Sequence, residues 1–196
     1  MSGVGAPRPL LVIDLECTCD ERDFPRDAME TIEIGAVLVD RASLAPIAEL
    51  GTFVRPVRRP TLTPFCTQLT SISQQQVDEA PPFPQALERL TTELVRDLDP
   101  VFCSWGAFDQ RQLHADCAYH QVPYPFRDHW NLKQMFGEHL GQRRGFGMAR
   151  ALARVGIELE GTHHRGLDDA RNIASLLPWC LGRRAFPPAS RGRPRP

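Results

Sequence analysis

Five residues along this chain have the types and order needed to handle a phosphodiester. An apolar run, Leu10-Leu11-Val12-Ile13, ends in Asp14-Leu15-Glu16, and a second acidic cluster, His164-Arg165-Gly166-Leu167-Asp168-Asp169, lies near the other end. Side chains on a strand alternate faces, so Asp14 and Glu16 project to one side, roughly 7 Å apart. Two carboxylates on one face at the end of an apolar strand repel each other and lose solvation, which a divalent cation relieves. Between the clusters, Ser104-Trp105-Gly106-Ala107-Phe108-Asp109 reads as a strand that ends and a helix that opens at an acid. Taken singly, each residue has a plainer reading. Asp14 and Glu16 suit a solvated loop edge, Asp109 suits a helix N-cap, Asp168 and Asp169 suit a helix N-terminus, and His164 suits a surface loop. Together, four acids and a histidine at strand-to-helix junctions form the set that two-metal phosphoryl transfer requires: carboxylates for two ions about 4 Å apart and a base for the attacking water.

These residues must be positioned by a fold that the chain can build. At 196 residues it is long enough for one domain with a substantial core. Its 42% hydrophobic and 24% charged content are ordinary for a globular protein. No apolar stretch reaches the roughly 18 residues that span a bilayer, and Met1 to Arg8 lacks the apolar core of a signal peptide, so a cytoplasmic protein is expected. The six cysteines (Cys17, Cys19, Cys66, Cys103, Cys117, Cys180) are scattered without zinc-ribbon spacing, which predicts reduced, buried thiols. The net charge of −1 conceals a division: residues 14–33 carry eight acids against two arginines, whereas the chain from Arg143 onward carries eleven arginines against four acids. Acid near a metal site and base elsewhere suits a polyanionic substrate.

Pro9 to Leu15 reads as a buried strand, with Thr31 to Val39 and Leu50 to Val54 as antiparallel neighbours of it. Phe83, Ala86, Leu87, Leu90, Leu94 and Leu98 recur at helical spacing. Val101 to Ser104 is a short strand, Asp109 opens a helix through Leu113 and Cys117, and Met148 to Val155 forms another helix closed by Gly156. A last helix begins near Asp168, and Pro178 should end or kink it. The expected fold class is α/β, with a central mixed sheet flanked by helices. Residues 1–8 are expected to be an N-terminal extension, 9–182 the folded domain, and 183–196, with five arginines and four prolines, a disordered tail.

Asp14-x-Glu16, Asp109 and His164-x4-Asp169 resemble the three motifs of the DEDDh 3′-to-5′ exonucleases, most closely the branch of the histone-mRNA 3′-end exonuclease and its bacterial relatives. The branch is suggested by Phe65-Cys66-x-x-Leu69-Thr70-x-Ile72, Gln76-Val77-Asp78, Trp105-Gly106-x-x-Asp109 and His164-x-Gly166-Leu167-Asp168-Asp169-Ala170-Arg171-Asn172-Ile173. The resemblance implies a ribonuclease H-like fold, two Mg²⁺ or Mn²⁺ ions on Asp14, Glu16, Asp109 and Asp169, and His164 as general base. Glu16 would sit on the nucleophile side with Asp169, and Asp109 on the leaving-group side. It brings the backbone at Cys17 and Thr18 close to the terminal nucleotide and Leu69 against its base, with Thr70 and His164 also on the substrate side; the substrate is single-stranded RNA or DNA at its 3′ end. The chain departs from the family at Ser71, where glycine is usual, and at Pro178. It carries no segment like the nucleic-acid-targeting domain of the histone-mRNA enzyme. Two other readings are an exonuclease fold kept as a non-catalytic binding module, which predicts loss of a site residue although all five are present, and a DNA-directed exonuclease. An aspartyl phosphatase would need a second Asp where Glu16 stands.

Overall fold

The computed structural model describes residues 7–21, 24–142 and 146–188. Strand β1 (Leu10–Cys17) pairs antiparallel with β2 (Thr31–Val39), which pairs antiparallel with β3 (Pro46–Phe53). Two short helices follow, α1 (Pro64–Thr70) and α2 (Gln74–Asp78), then α3 (Phe83–Leu90). Strand β4 (Val101–Ser104) returns parallel to β1, and α4 (Phe108–Tyr119) leads to β5 (His129–Asn131), parallel to β4. The remainder is helical: α5 (Leu132–His139), α6 (Met148–Val155), α7 (Gly166–Ser175) and α8 (Leu177–Cys180). The sheet order is β3-β2-β1-β4-β5, the expected mixed α/β sheet. β3 neighbours β2 alone, so the expectation that it would also flank β1 is corrected.

Alternation along the strands puts one core on each face of the sheet, and a smaller third cluster, Ile32, Leu62, Cys66, Ile72 and Val77, joins α1 and α2 to the strands. Leu10, Val12, Val37 and Val39 face α5 to α8, whereas Leu11, Ile13, Ile34 and Ala36 face α3 and α4. Continuing the first row along β1 from Leu10 and Val12 leads to Asp14 and then Glu16; along β2, from Val39 and Val37, it leads to Gly35 and Glu33. The acids therefore extend an apolar row to the end of the sheet. Opposite Asp14 stands Gly35, and opposite Glu16 stands Glu33.

Two sequence expectations fail for physical reasons. Leu98 is 43% exposed, because a π-helical turn at Thr91–Val95 shifts the phase after Leu90 and Asp97 takes a left-handed backbone with φ 62°. Residues 183–188, part of the expected disordered tail, form no helix or strand yet pack against the domain. Phe186 packs edge-on against Phe136 with ring centroids 4.9 Å apart, Trp179 Nε1 donates to Ala185 O, and Arg154 donates to Pro187 O. Counting arginines and prolines overlooked one aromatic anchor; residues 189–196 lie outside the described residues. The helix end expected near Pro178 is present: α7 stops at Ser175, and Pro178 lies in the first turn of α8. Ser71, where the resemblance leads one to expect glycine, caps α1 with φ 59°, a conformation in which glycine is unstrained and serine is not.

A Cβ built on Gly35 would come within 1.8 Å of the Gly166 carbonyl carbon and 2.1 Å of the Leu167 nitrogen, so the first turn of α7 lies directly on β2. Gly35→Ala is therefore expected to destabilise the protein by about 3 kcal/mol or more, since backbone cannot step aside as a side chain can. Gly51→Ala meets only the Leu167 side chain, at 3.2 Å, and should cost much less. Thermal denaturation of the two variants checks this; equal midpoints would contradict the close approach.

Candidate active site

A cleft of about 350 Å³ opens at the end of β1, lined among others by Asp14, Glu16, Asp109, His164 and Asp169. All five residues singled out in the sequence thus reach one cavity. A larger hollow of about 650 Å³ over α5, lined by Lys133, Glu138 and glutamines, has no such constellation. Carboxylate oxygens of Asp14, Glu16 and Asp169 lie within 4.8 Å of one another, and so do ligating atoms of His163, His164 and Asp169. Asp109 stands in the first turn of α4 but is not its cap. Its Oδ1 accepts the Leu15 N–H at 3.2 Å, tying helix to strand between the two β1 acids.

Asp169, buried in the first turn of α7, accepts the His164 backbone N–H at 3.0 Å and faces His163 Nδ1 at 3.0 Å. The two imidazoles stack with centroids 4.0 Å apart, and His164 holds a left-handed backbone with φ 63°. Such a conformation in a non-glycine residue persists only where its surroundings fix it. Here Asp169 fixes it from the helix. Glu33 fixes it from the sheet, accepting the Gly166 N–H at 3.0 Å and both Nε and Nη2 of Arg165 at 3.1 and 3.3 Å. Glu33 is 4% exposed and was missed in the sequence, where it appeared only as one acid among eight. Its signal was its place two residues before Gly35 on a strand otherwise apolar.

The expected substrate residues divide. Leu69, 37% exposed, and Cys17 line the cleft. Thr18 and Thr70 do not. Thr18 exchanges hydrogen bonds with Glu30, its N–H donating to Glu30 O and its hydroxyl accepting the Glu30 N–H. Thr70 donates to Cys66 O and accepts the Ile72 N–H from a site 1% exposed. Both hydroxyls are spent inside the fold. The cleft also takes in Cys19, Met29, Phe108 and Met148, to which the sequence reading gave no site role. All six cysteines are free, and five are buried, as expected.

Electrostatics identify what the cluster lacks. Burial, then the neighbouring Asp109, Glu16, Asp169 and Glu33, raise the Asp14 pKa well above the usual carboxylate range. Burial first and Asp169 next push Glu16 up to about 8, and burial pushes Asp109 to about 6 against the pull of the Leu15 N–H. Among the described residues, no arginine or lysine forms an ion pair with these acids, and Arg165 is committed to Glu33. Hard oxygen donors crowded without a counter-charge fit divalent cations.

Against known proteins, the exonuclease family model matches residues 11–177. The chain belongs to the exonuclease family. Its similarity to ERI1 exoribonuclease 2 of Danio rerio is 35% identity over 189 residues, 85% of this chain but 34% of that protein. It is 31% identical over 171 residues to the probable 3′-5′ exonuclease KapD of Bacillus subtilis, covering 86% of this chain and 82% of the relative. The nuclease domain of 3′hExo, a DEDDh family member solved bound to rAMP, superposes with a TM-score of 0.81 at 29% identity, over 92% of this chain and 96% of that one. The fold is thus ribonuclease H-like, as the resemblance implied, and the exonuclease family implies use of a divalent metal. Among the described residues, no helix is long and apolar enough to cross a membrane.

A carboxyl group whose pKa is raised by folding binds more protons folded than unfolded between its ordinary and raised values. For Glu16 that window runs from 4.5 to about 8, so its contribution lowers the stability of the metal-free protein as pH rises through it. Glu16→Gln, which cannot ionise, should leave the midpoint little changed near pH 5 and raise it by several degrees near pH 8, measured in chelator. A difference between variant and wild type that does not grow with pH would contradict the raised pKa.

Proposed function

We propose that the chain is a divalent-metal-dependent 3′-to-5′ exonuclease that releases nucleoside 5′-monophosphates from single-stranded ends, RNA in preference to DNA. The observation that carries this is the crowding of Asp14, Glu16 and Asp169 within 4.8 Å, in one cleft with Asp109 and His164. Asp14, Glu16, Asp109 and Asp169 would hold two ions, Mg²⁺ or Mn²⁺. When bound, they would offset phosphodiester charge and make water a nucleophile at neutral pH. His164 would take the proton of the attacking water. Burial and the adjacent His163 lower its pKa, which keeps the ring neutral and able to accept. The terminal P–O3′ bond breaks, leaving a 5′-monophosphate and a new 3′-hydroxyl on the shortened strand.

Leu69 and the β1 end at Cys17 form the wall for the terminal nucleotide, where an unstacked base can lie against apolar surface. A duplex end must first open. The RNA preference is supported by the names of the relatives and by the 2′-hydroxyl, which offers backbone both a donor and an acceptor. Residues 9–182 form the exonuclease domain in this reading. The free thiols suit a reducing compartment, which supports a cytoplasmic location.

Excess chelator and Asp14→Ala should each abolish hydrolysis of labelled single-stranded RNA. His164→Ala should lower turnover by about a hundredfold or more, the usual range for a general base. His163, which holds Asp169 in the present geometry, is the competitor: crippled His163→Ala beside an active His164→Ala would reassign the base. Matched RNA and DNA oligonucleotides with 3′-hydroxyl or 3′-phosphate ends test the rest. Loss from the 5′ end would overturn the mechanism, and equal or faster loss of DNA would overturn the RNA preference.

A further inference from the structure

Two of the six cysteines lie together beside the carboxylate cluster without being part of it. Cys19 stands two residues beyond the end of β1, and Cys66 sits in α1 with no exposed surface. Thr63, which caps α1, joins their backbones: its hydroxyl donates to Cys19 O at 2.7 Å and its oxygen accepts the Cys66 N–H at 3.0 Å. Held in this way, the two thiols share a hydrogen bond in which the Cys19 S–H donates to the Cys66 sulfur. The Cys66 sulfur also receives the Cys19 backbone N–H, and its own S–H donates to Cys17 O at 3.6 Å. Ile32, Leu62, Ile72 and Val77 pack around it from behind.

Access and surroundings separate this pair from the other thiols. Cys17, Cys103, Cys117 and Cys180 are buried, and burial raises the pKa of each. Cys66 moves the other way: the Cys19 thiol first, then the Cys19 N–H and Thr70, pull it down to about 7 against its burial. Cys19 is half-buried and faces two openings, the carboxylate cleft and a hollow of about 240 Å³ lined by Phe24, Arg59 and Thr61 among others. A small solute thus reaches the Cys19 sulfur from either side, and Cys66 waits behind it.

We propose that Cys19 and Cys66 are a hydroperoxide-reactive pair that closes reversibly into a disulfide between the end of β1 and α1, and that this bond weakens substrate binding in the adjoining cleft. The Cys19 thiol attacks the terminal oxygen of the hydroperoxide. The O–O bond breaks and the thiol proton passes to the leaving oxygen, giving a sulfenic acid and an alcohol, or water from hydrogen peroxide. The Cys66 sulfur then attacks the Cys19 sulfur, the S–O bond breaks, and the hydroxyl leaves as water with the Cys66 proton. The two thiols lose two electrons and one hydroperoxide gains them. A reducing compartment reopens the bond by thiol exchange, which suits a sensor rather than a permanent staple. Closure removes the S–H that the Cys17 carbonyl accepts and tethers α1, which carries Leu69 three residues after Cys66. Cys17 and Leu69 are the wall given above to the terminal nucleotide, so the effect on the cleft rests on the exonuclease reading.

The test treats the full reduced chain, in chelator, with a few equivalents of hydrogen peroxide, alkylates the remaining thiols and maps the peptides by mass spectrometry. The expected product is lighter by about 2 Da before alkylation and holds a Cys19–Cys66 cross-link that dithiothreitol removes. Returned to Mg²⁺, the oxidised protein should show a KM for a single-stranded RNA decamer raised about threefold to tenfold, the worth of a hydrogen bond, with kcat changed less. Dithiothreitol should restore it. Cys66→Ala should show neither the cross-link nor the response to peroxide; if it fails to fold, Cys19→Ser replaces it, and the wild-type map decides without either. No cross-link, a cross-link between other cysteines, or oxidation running to a sulfinic acid on Cys19 alone overturns the pair. The cross-link with an unchanged KM overturns its hold on the cleft. A reduced wild type that hydrolyses no RNA overturns the exonuclease reading and with it the effect on the cleft, whereas the peptide map still decides the pair.

Discussion

The site exists because helix α7 can touch strand β2 without a side chain between them. Gly35 and Gly166 meet backbone to backbone, and a single Cβ on Gly35 would fall on the Gly166 carbonyl. That contact brings the first turn of α7 down beside the end of β1, where Asp14 lies opposite Gly35. Asp169, three residues into the helix, then falls among the β1 acids, and the loop carrying both histidines follows it. Glu33 completes the clamp by seizing Arg165 and the Gly166 amide at the same junction. Moving α7 outward by the width of a methyl group would separate Asp169 from Asp14 and Glu16.

What the clamp holds together is unfavourable by itself. Three carboxylates within 4.8 Å, of which Asp14 and Glu16 are raised in pKa by burial and by their acidic neighbours, are stored repulsion that the apolar interior must outweigh. The apolar rows behind Asp14 and Glu16 are nearly without exposure, with Leu10, Leu11, Val12 and Ile13 all at 0%. Stability is concentrated where the chain needs rigidity and given up at the end of the sheet, an arrangement common to sites that work on charge.

Much of this was legible in the sequence. Strands β2 and β4 and helix α6 have the boundaries that their apolar runs and the glycine after α6 suggest, because burial on both faces leaves little choice of residue. The five residues picked out by type and order do line one cleft. What escaped was set by tertiary contacts that no periodicity encodes. The π turn displaced Leu98, and a lone Phe186 drew 183–188 onto the domain. Thr18 and Thr70 look like surface hydroxyls until their partners, Glu30, Cys66 and Ile72, are seen. Glu33 was invisible as a clamp because its partner lies 132 residues away.

The raised pKa values have a consequence for how the cluster acquires a cation. With Glu16 pushed up to about 8 and Asp14 raised in the same direction, occupancy by a divalent ion becomes an exchange, a proton leaving as the metal enters. Affinity would then climb with alkalinity, and binding in a weakly buffered solution would acidify it. The same crowding that makes the cluster costly thereby couples the site's readiness to both the ion concentration and the proton concentration around it.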